Sequence, residues 1–192
     1  MTVKTDKEKY VEGLFPELQE IADVELRKKV VKCWLIALED GQWDRIEDMP
    51  WVPGSAEFIT NVQHVRAAAR IGIAIAKTIN SSQDLMPGAT VNLDTVIAGS
   101  ILHDVGKLLE FTGPENRTGE VTPLGNRMLH HILGAHLAIK AGLDAEIVHC
   151  IEAHREPQTF PRSLEARIVL TGDMFAALPM VILHPEVKFR GA

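Results

Sequence analysis

The chain has only two cysteines in 192 residues, Cys33 and Cys150. Each stands in an apolar helical context. That argues against a disulfide framework and for two reduced core thiols. No run of about 18 apolar residues occurs, so no membrane span is expected. The amino terminus, MTVKTDKEKY, lacks the apolar stretch of a signal peptide, and a cytoplasmic location is the expectation. Positive charge is also short: 20 Lys and Arg stand against 26 Asp and Glu, a net charge of −6. A general nucleic-acid binder would show a basic stripe, and none is present. A small phosphorylated substrate stays compatible, because a local positive pocket can sit in an acidic protein. Strand signals, internal repeats and low-complexity tracts are nearly or wholly missing.

What is present is helical periodicity and enough apolar content, 46%, for a sizeable core. Helices are expected near 6–20, 23–39, 56–80, 93–110, 123–141, 145–155 and 163–179, giving an all-α bundle. Residues 1–55 read as N-terminal helices and a loop packed on a main domain at 56–192. Asn92, Asp144 and Ser163 are placed as N-caps, their side chains accepting bonds from free first-turn amides. Gly142 suits a left-handed C-cap, and Pro123 is tolerated in a first helical turn. Residues 41–55, 80–91 and 112–122 read as loops. Gly113 and Gly119 would let the last of these move.

The informative residues are ionisable ones on apolar faces. In the segment from Leu93 to Leu109 the buried stripe runs Val96, Ile97, Ser100, Ile101, Asp104 and Leu108, with His103 beside it. An unpaired carboxylate there would cost several kcal/mol or take up a proton. A metal ion removes that conflict, since it compensates the charge and uses the lone pairs. The oddity recurs. Asp173 has Val169, Leu170, Ala176 and Ala177 as helical neighbours; His64 is followed on its face by Ala67, Ala68 and Ile71. His154 lies below Ile147, Cys150 and Ile151, and His130 is one turn from Leu133 and Gly134. Any one such histidine is ordinarily a hydrogen-bonded core residue. Several converging helices would instead make an interior nitrogen and oxygen site, as in bundle metalloproteins.

The segments QHVRAAARIGIAIA, AGSILHDVGKLLE and ARIVLTGDMFAAL carry His64, His103–Asp104 and Asp173. In this pattern the chain resembles the HD-domain superfamily of metal-dependent phosphohydrolases, over about residues 58–179. The resemblance implies an all-α HD-domain bundle with an N-terminal helical extension. It also implies a metal site of His64, His103, Asp104 and Asp173. HHILGAHLA and IEAHREP resemble the segments that add two histidines in two-metal relatives, implying His130 and His154, with His131 as the competitor of His130. The glycine-tyrosine-proline signature of one two-metal subtype is missing from AHREPQTF, so that subtype's cyclic-dinucleotide cleavage is not implied. His136, His149 and His184 are left as structural or surface residues; His149 is about 140° around the helix from His154.

On this resemblance Asp104 would bridge two ions about 3.5–4 Å apart, and a metal-activated hydroxide would attack phosphorus in line. The ligand set suits manganese, iron, cobalt, nickel or zinc, as one or two divalent ions, better than calcium. Lys107, on the same side as His103 and Asp104, would hold a substrate phosphate or pair with Asp104. Arg127 and Arg155 are weaker candidates for that contact. Trp43 and Trp51 would stack on the organic part of a substrate or anchor the loop in the core. The expected activity is hydrolysis of a phosphate ester, a nucleotide among the candidates. Its rivals are a di-iron oxygenase on the same fold and a non-catalytic regulatory module.

Overall fold

A computed structural model of the chain describes residues 5–41, 43–55, 57–112, 120–155 and 162–185. Its helices are α1 (Asp6–Leu14), α2 (Val24–Asp40), α3 (Asn61–Ser81), α4 (Leu93–Leu102), α5 (Lys107–Glu110), α6 (His130–Ala141), α7 (Ala145–Glu152) and α8 (Leu164–Leu183). Short 3-10 segments cover Pro16–Glu20 and Ile46–Asp48. Among the described residues the extended pairing amounts to two isolated bridges, Pro50 with Thr60 and Phe111 with Val121. The architecture is all-α.

The caps follow from local chemistry. The side chains of Asn92, Asp144 and Ser163 accept from the amides of Thr95, Ile147 and Ala166. Gly142 takes φ 84°, a left-handed conformation that a Cβ disfavours, and closes α6. Thr60 and Gln63 form a reciprocal capping box that starts α3.

Five expected helices differ from those seen. The segment 6–20 is α-helical only to Leu14, since Pro16 cannot continue the ladder, and goes on as the 3-10 segment Pro16–Glu20. The segment 93–110 is broken at 103–106, where amides of Val105 and Lys107 bond three residues back, to Leu102 and Asp104. The break brings Gly106 so close to α6 that a Cβ there would lie 2.0 Å from the His130 carbonyl oxygen. The segment 123–141 is helical only from His130, because the Glu110 carboxylate accepts the His130 amide at 2.9 Å and residues 123–129 are spent in turns. Pro123 lies in those turns. The segment 145–155 is helical to Glu152, so His154 stands in the turn beyond. The segment 56–80 becomes a helix only after Thr60. The loop glycines Gly113 and Gly119 lie outside the described residues, as do residues 156–161.

Two long helices, α3 and α8, pack closely along small residues. A Cβ on Gly172 would meet the Ala68 carbonyl at 2.7 Å, and one on Gly72 would meet Ser100 Oγ at 3.0 Å. α4 lies against both. One apolar cluster runs from Val11, Phe15, Trp34 and Ala37 of the first helices to Leu102, Leu108, Leu137 and Ile151. Each fully buried Leu or Ile in it contributes about 1.5–3 kcal/mol relative to exposure. Cys33 and Cys150 are buried free thiols, Cys33 pushed up to about 12 by burial. α8 is long and apolar enough to match a membrane span by length and composition, which the count of apolar runs did not register. It packs against α3 and carries a carboxylate, Asp173, at mid-length.

Candidate metal centre

The bundle brings His64, His103, Asp104, His130, His154 and Asp173 to one place. Asp104 is the centre of it, 2% exposed, with each of its two oxygens near a different pair of imidazoles. Oδ2 lies 3.4 Å from His103 Nε2 and 3.8 Å from His64 Nε2. Asp173 Oδ1 completes that side, 2.8 Å from His64 Nε2 and 3.6 Å from His103 Nε2. Oδ1 of Asp104 lies 3.4 Å from His130 Nε2 and 3.9 Å from His154 Nε2. Two groups of ligand atoms result: His64, His103 and Asp104, and Asp104, His130 and His154, each within 4.8 Å.

The 3.4 Å separations on either side of Asp104 match a shared ion, and the others, 2.8 to 3.9 Å, lie to both sides of that value. Two atoms each about 2.1 Å from one ion, at tetrahedral or octahedral angles, sit roughly 3.0–3.4 Å apart. The tautomers fit as well. His103 Nδ1 donates to the Ser100 carbonyl at 2.7 Å and His154 Nδ1 to the Ile151 carbonyl at 2.6 Å. His130 Nδ1 bonds the Glu110 carboxylate at 2.6 Å. A neutral ring with its proton on Nδ1 presents a lone pair at Nε2. With both rings in that neutral form, His130 and His154 aim two lone pairs at each other across 3.3 Å, an arrangement that repels unless a cation sits between them. This set of imidazole and carboxylate donors therefore fits divalent transition ions.

Electrostatics point the same way. Burial alone would raise Asp104, but Lys107 and His103 outweigh it and hold the carboxyl well below its usual range. Burial opposes ionisation of Asp173 too, and His64 and His103 pull it down. His154 is pushed down to about 3 by burial, then by His103 and His130, and stays neutral. His64 is lowered by burial against the pull of Asp173. Burial also works against a charged His103, but Asp104 and Asp173 leave it raised.

Lys107 is 5% exposed and ion-paired to Asp104 Oδ2 at 2.7 Å, the pairing expected as the alternative to a phosphate contact. It also donates to the Trp51 carbonyl at 2.8 Å. A cavity of about 260 Å³ opens beside these groups, with Asp104, Lys107, Glu110, His130, His154, Arg155 and Asp173 on its polar side. Trp51, Val52, Pro53, Phe111, Met174, Ala177 and Val181 form its apolar wall. Arg127 is exposed and away from it. Trp43 anchors the core, its indole N–H shared between the carbonyls of Leu108 and Phe111.

His131 is buried with its ring edge-on to His130 and His154, and Nδ1 finds no partner among the described residues. Burial, His130 and Arg155 push it down to about 4. His136 is exposed, His149 Nε2 accepts the Arg162 amide, and His184 lies on the Phe58 ring. Sequence reasoning missed Glu110, which caps α6 and orients His130. The signal was there: a carboxylate inside the apolar run Leu108-Leu109-Glu110-Phe111.

Residues 61–178 match the family model described as HD domain. The chain is also similar to a dihydroneopterin 2',3'-cyclic phosphate phosphodiesterase of Methanocaldococcus jannaschii, 26% identical over 172 residues that cover 85% of this chain and 67% of that protein. No solved structure gives a significant match.

Proposed function

The chain belongs to the HD-domain family, and from that premise we propose that it is a metal-dependent phosphohydrolase acting on a small phosphate ester, a nucleotide being the first class to test. The observation that carries the proposal is Asp104, whose two oxygens each face a separate set of imidazole nitrogens beside an open cavity. In this reading His64, His103 and Asp173 would hold one ion, His130 and His154 the other, and Asp104 would serve both. Divalent ions of the manganese-to-zinc series bound there supply an activated water and charge for the phosphoryl oxygens.

The protein's own groups do the rest. Asp104, Asp173 and Glu110 outnumber Lys107 and Arg155 around the cavity, so without cations the pocket repels a phosphate. With the carboxylates matched to dications it attracts one. Lys107 spends two of its three N–H donors on Asp104 and Trp51 and keeps the third for a phosphoryl oxygen. The apolar wall takes the organic part of the substrate and limits water around the reacting bond. The cavity volume suits a single small phosphorylated molecule, in keeping with a relative named for a cyclic phosphate.

The test is phosphate release from a panel of mononucleotides, 2',3'-cyclic phosphates and sugar phosphates, with each metal in turn, under nitrogen and in air. Release under nitrogen is expected. Substrate turnover that needs oxygen and liberates no phosphate would replace this reading with the oxygenase one.

A further inference from the structure

One wall of the centre comes from ahead of the family-matched residues. Trp51 lies ten residues before Asn61, in the loop of 41–55, and is buried. Its indole stacks on the His64 imidazole, with ring centroids 4.5 Å apart and planes 24° from parallel. The loop is tied to the start of α3 by the Pro50–Thr60 bridge and by the Trp51 amide on the Ile59 carbonyl. The Trp51 carbonyl accepts from Lys107, the ammonium paired with Asp104.

His64 differs from the other three histidines. His103, His130 and His154 are each fixed through Nδ1, by Ser100, Glu110 and Ile151. His64 Nδ1 is buried and bonded to nothing among the described residues. A ring bonded only at Nε2 lacks the polar anchor that sets the tilt of the others, and an indole face lying on it sets that tilt by packing. We propose that Trp51 is the positioning residue for His64. Its π-face does for this imidazole what a hydrogen bond to Nδ1 does for the others. The inference rests on the reading of His64 as a metal ligand, and it places part of the centre outside the stretch from 61 to 178.

The test uses the full chain and cobalt(II) alone, followed by calorimetry, elemental analysis and indole emission. Trp51→Phe keeps an aromatic face and Trp51→Leu keeps bulk without one. The backbone carbonyl that holds Lys107 survives in both. The same substitutions are repeated on His130→Ala, which should retain a single ion at the His64 side. Trp51→Leu is expected to weaken that ion about ten-fold and, in the parent background, to leave the second ion unchanged. Trp51→Phe should stay within about three-fold of the parent and lose most of the emission quenching that cobalt(II) causes. Melting of the cobalt-free variants establishes that they fold. If Trp51→Leu is unfolded, Trp51→Phe decides alone: undiminished quenching, or a ten-fold weaker ion, overturns the proposal. Parent-like affinity for both ions in Trp51→Leu, or equal weakening of the two, also overturns it. A parent protein that takes up no cobalt(II) is a different failure: the metal-centre reading falls, and this inference with it.

Discussion

His64 and Asp173 sit within the two longest helices, α3 of 21 residues and α8 of 20, whereas His130 is the first residue of α6 and His154 lies two residues past the end of α7. The first pair is placed by packing. Gly172 lets α8 press on the Ala68 carbonyl, and Trp51 lies on His64. The second pair is placed by polar contacts: Glu110 takes both the amide and the Nδ1 of His130, and the Ile151 carbonyl takes Nδ1 of His154. Helix interiors are stiff and tolerate loss of one polar contact. Helix ends depend on whatever satisfies their free amides. One half of the centre should therefore fail through packing and the other through hydrogen bonding.

Asp104 is the group both halves share, and its removal should erase the contrast altogether. Asp104→Ala is expected to abolish loading of both ions and to lower activity at least about a thousand-fold. The change also strands Lys107, a buried cation without its partner, at a cost of about 3–5 kcal/mol. Asp104→Asn keeps the shape and an oxygen that accepts from Lys107, and removes only the charge. Elemental analysis of either variant is the check, and a full complement of metal in a folded Asp104→Ala protein would remove Asp104 from the centre.

The contrast sharpens with the second half. His130→Ala or His154→Ala should leave one ion of two, read as stoichiometry. Glu110→Gln should do less. It keeps the side-chain volume but replaces a charged acceptor of the His130 amide and ring, so the second ion is expected to bind about 10–100-fold more weakly while the first is unaffected. Equal loss of both ions in Glu110→Gln would mean the halves are not independent.

How much of this could be read beforehand differs between the halves for the same reason. His64, Asp104, Asp173, His130 and His154 all show in the sequence as ionisable residues beside apolar helical positions, and the family resemblance singles them out from ordinary core residues. His130 and His154 occupy positions where periodicity starts or stops. Their roles rest on the breaks after Leu102, before His130 and after Glu152, and spacing does not reveal breaks caused by tertiary contact. Gly106 and Gly125 show why. Each packs its Cα against backbone far along the chain, His130 for one and Glu110 for the other, and these contacts end or delay a helix that local preference would continue. Glu110 shows as a carboxylate in an apolar run, but the element it caps begins 20 residues later, beyond the reach of spacing.

The smallest expected effect tests whether α3 is held independently of the ions. Glu17, buried on the 3-10 segment after α1, accepts from Arg66 and Arg70 of α3 and so pins the N-terminal helices to the helix that carries His64. Burial would raise Glu17, but Arg66 and Arg70 more than offset it and lower its pKa below the ordinary 4.5. A folded value below the unfolded one means the stabilisation is complete above about pH 4.5 and fades as pH falls through the folded value. Because both arginines are partly exposed, Glu17→Gln should cost only about 1–2 kcal/mol at neutral pH. The gap to the parent should close on acidification, measured by denaturant unfolding of metal-free protein between pH 3 and 7. Metal stoichiometry at pH 7 should remain that of the parent. A loss of the first ion in Glu17→Gln would show instead that His64 depends on the N-terminal helices as a whole, and that packing around this half extends well beyond Trp51.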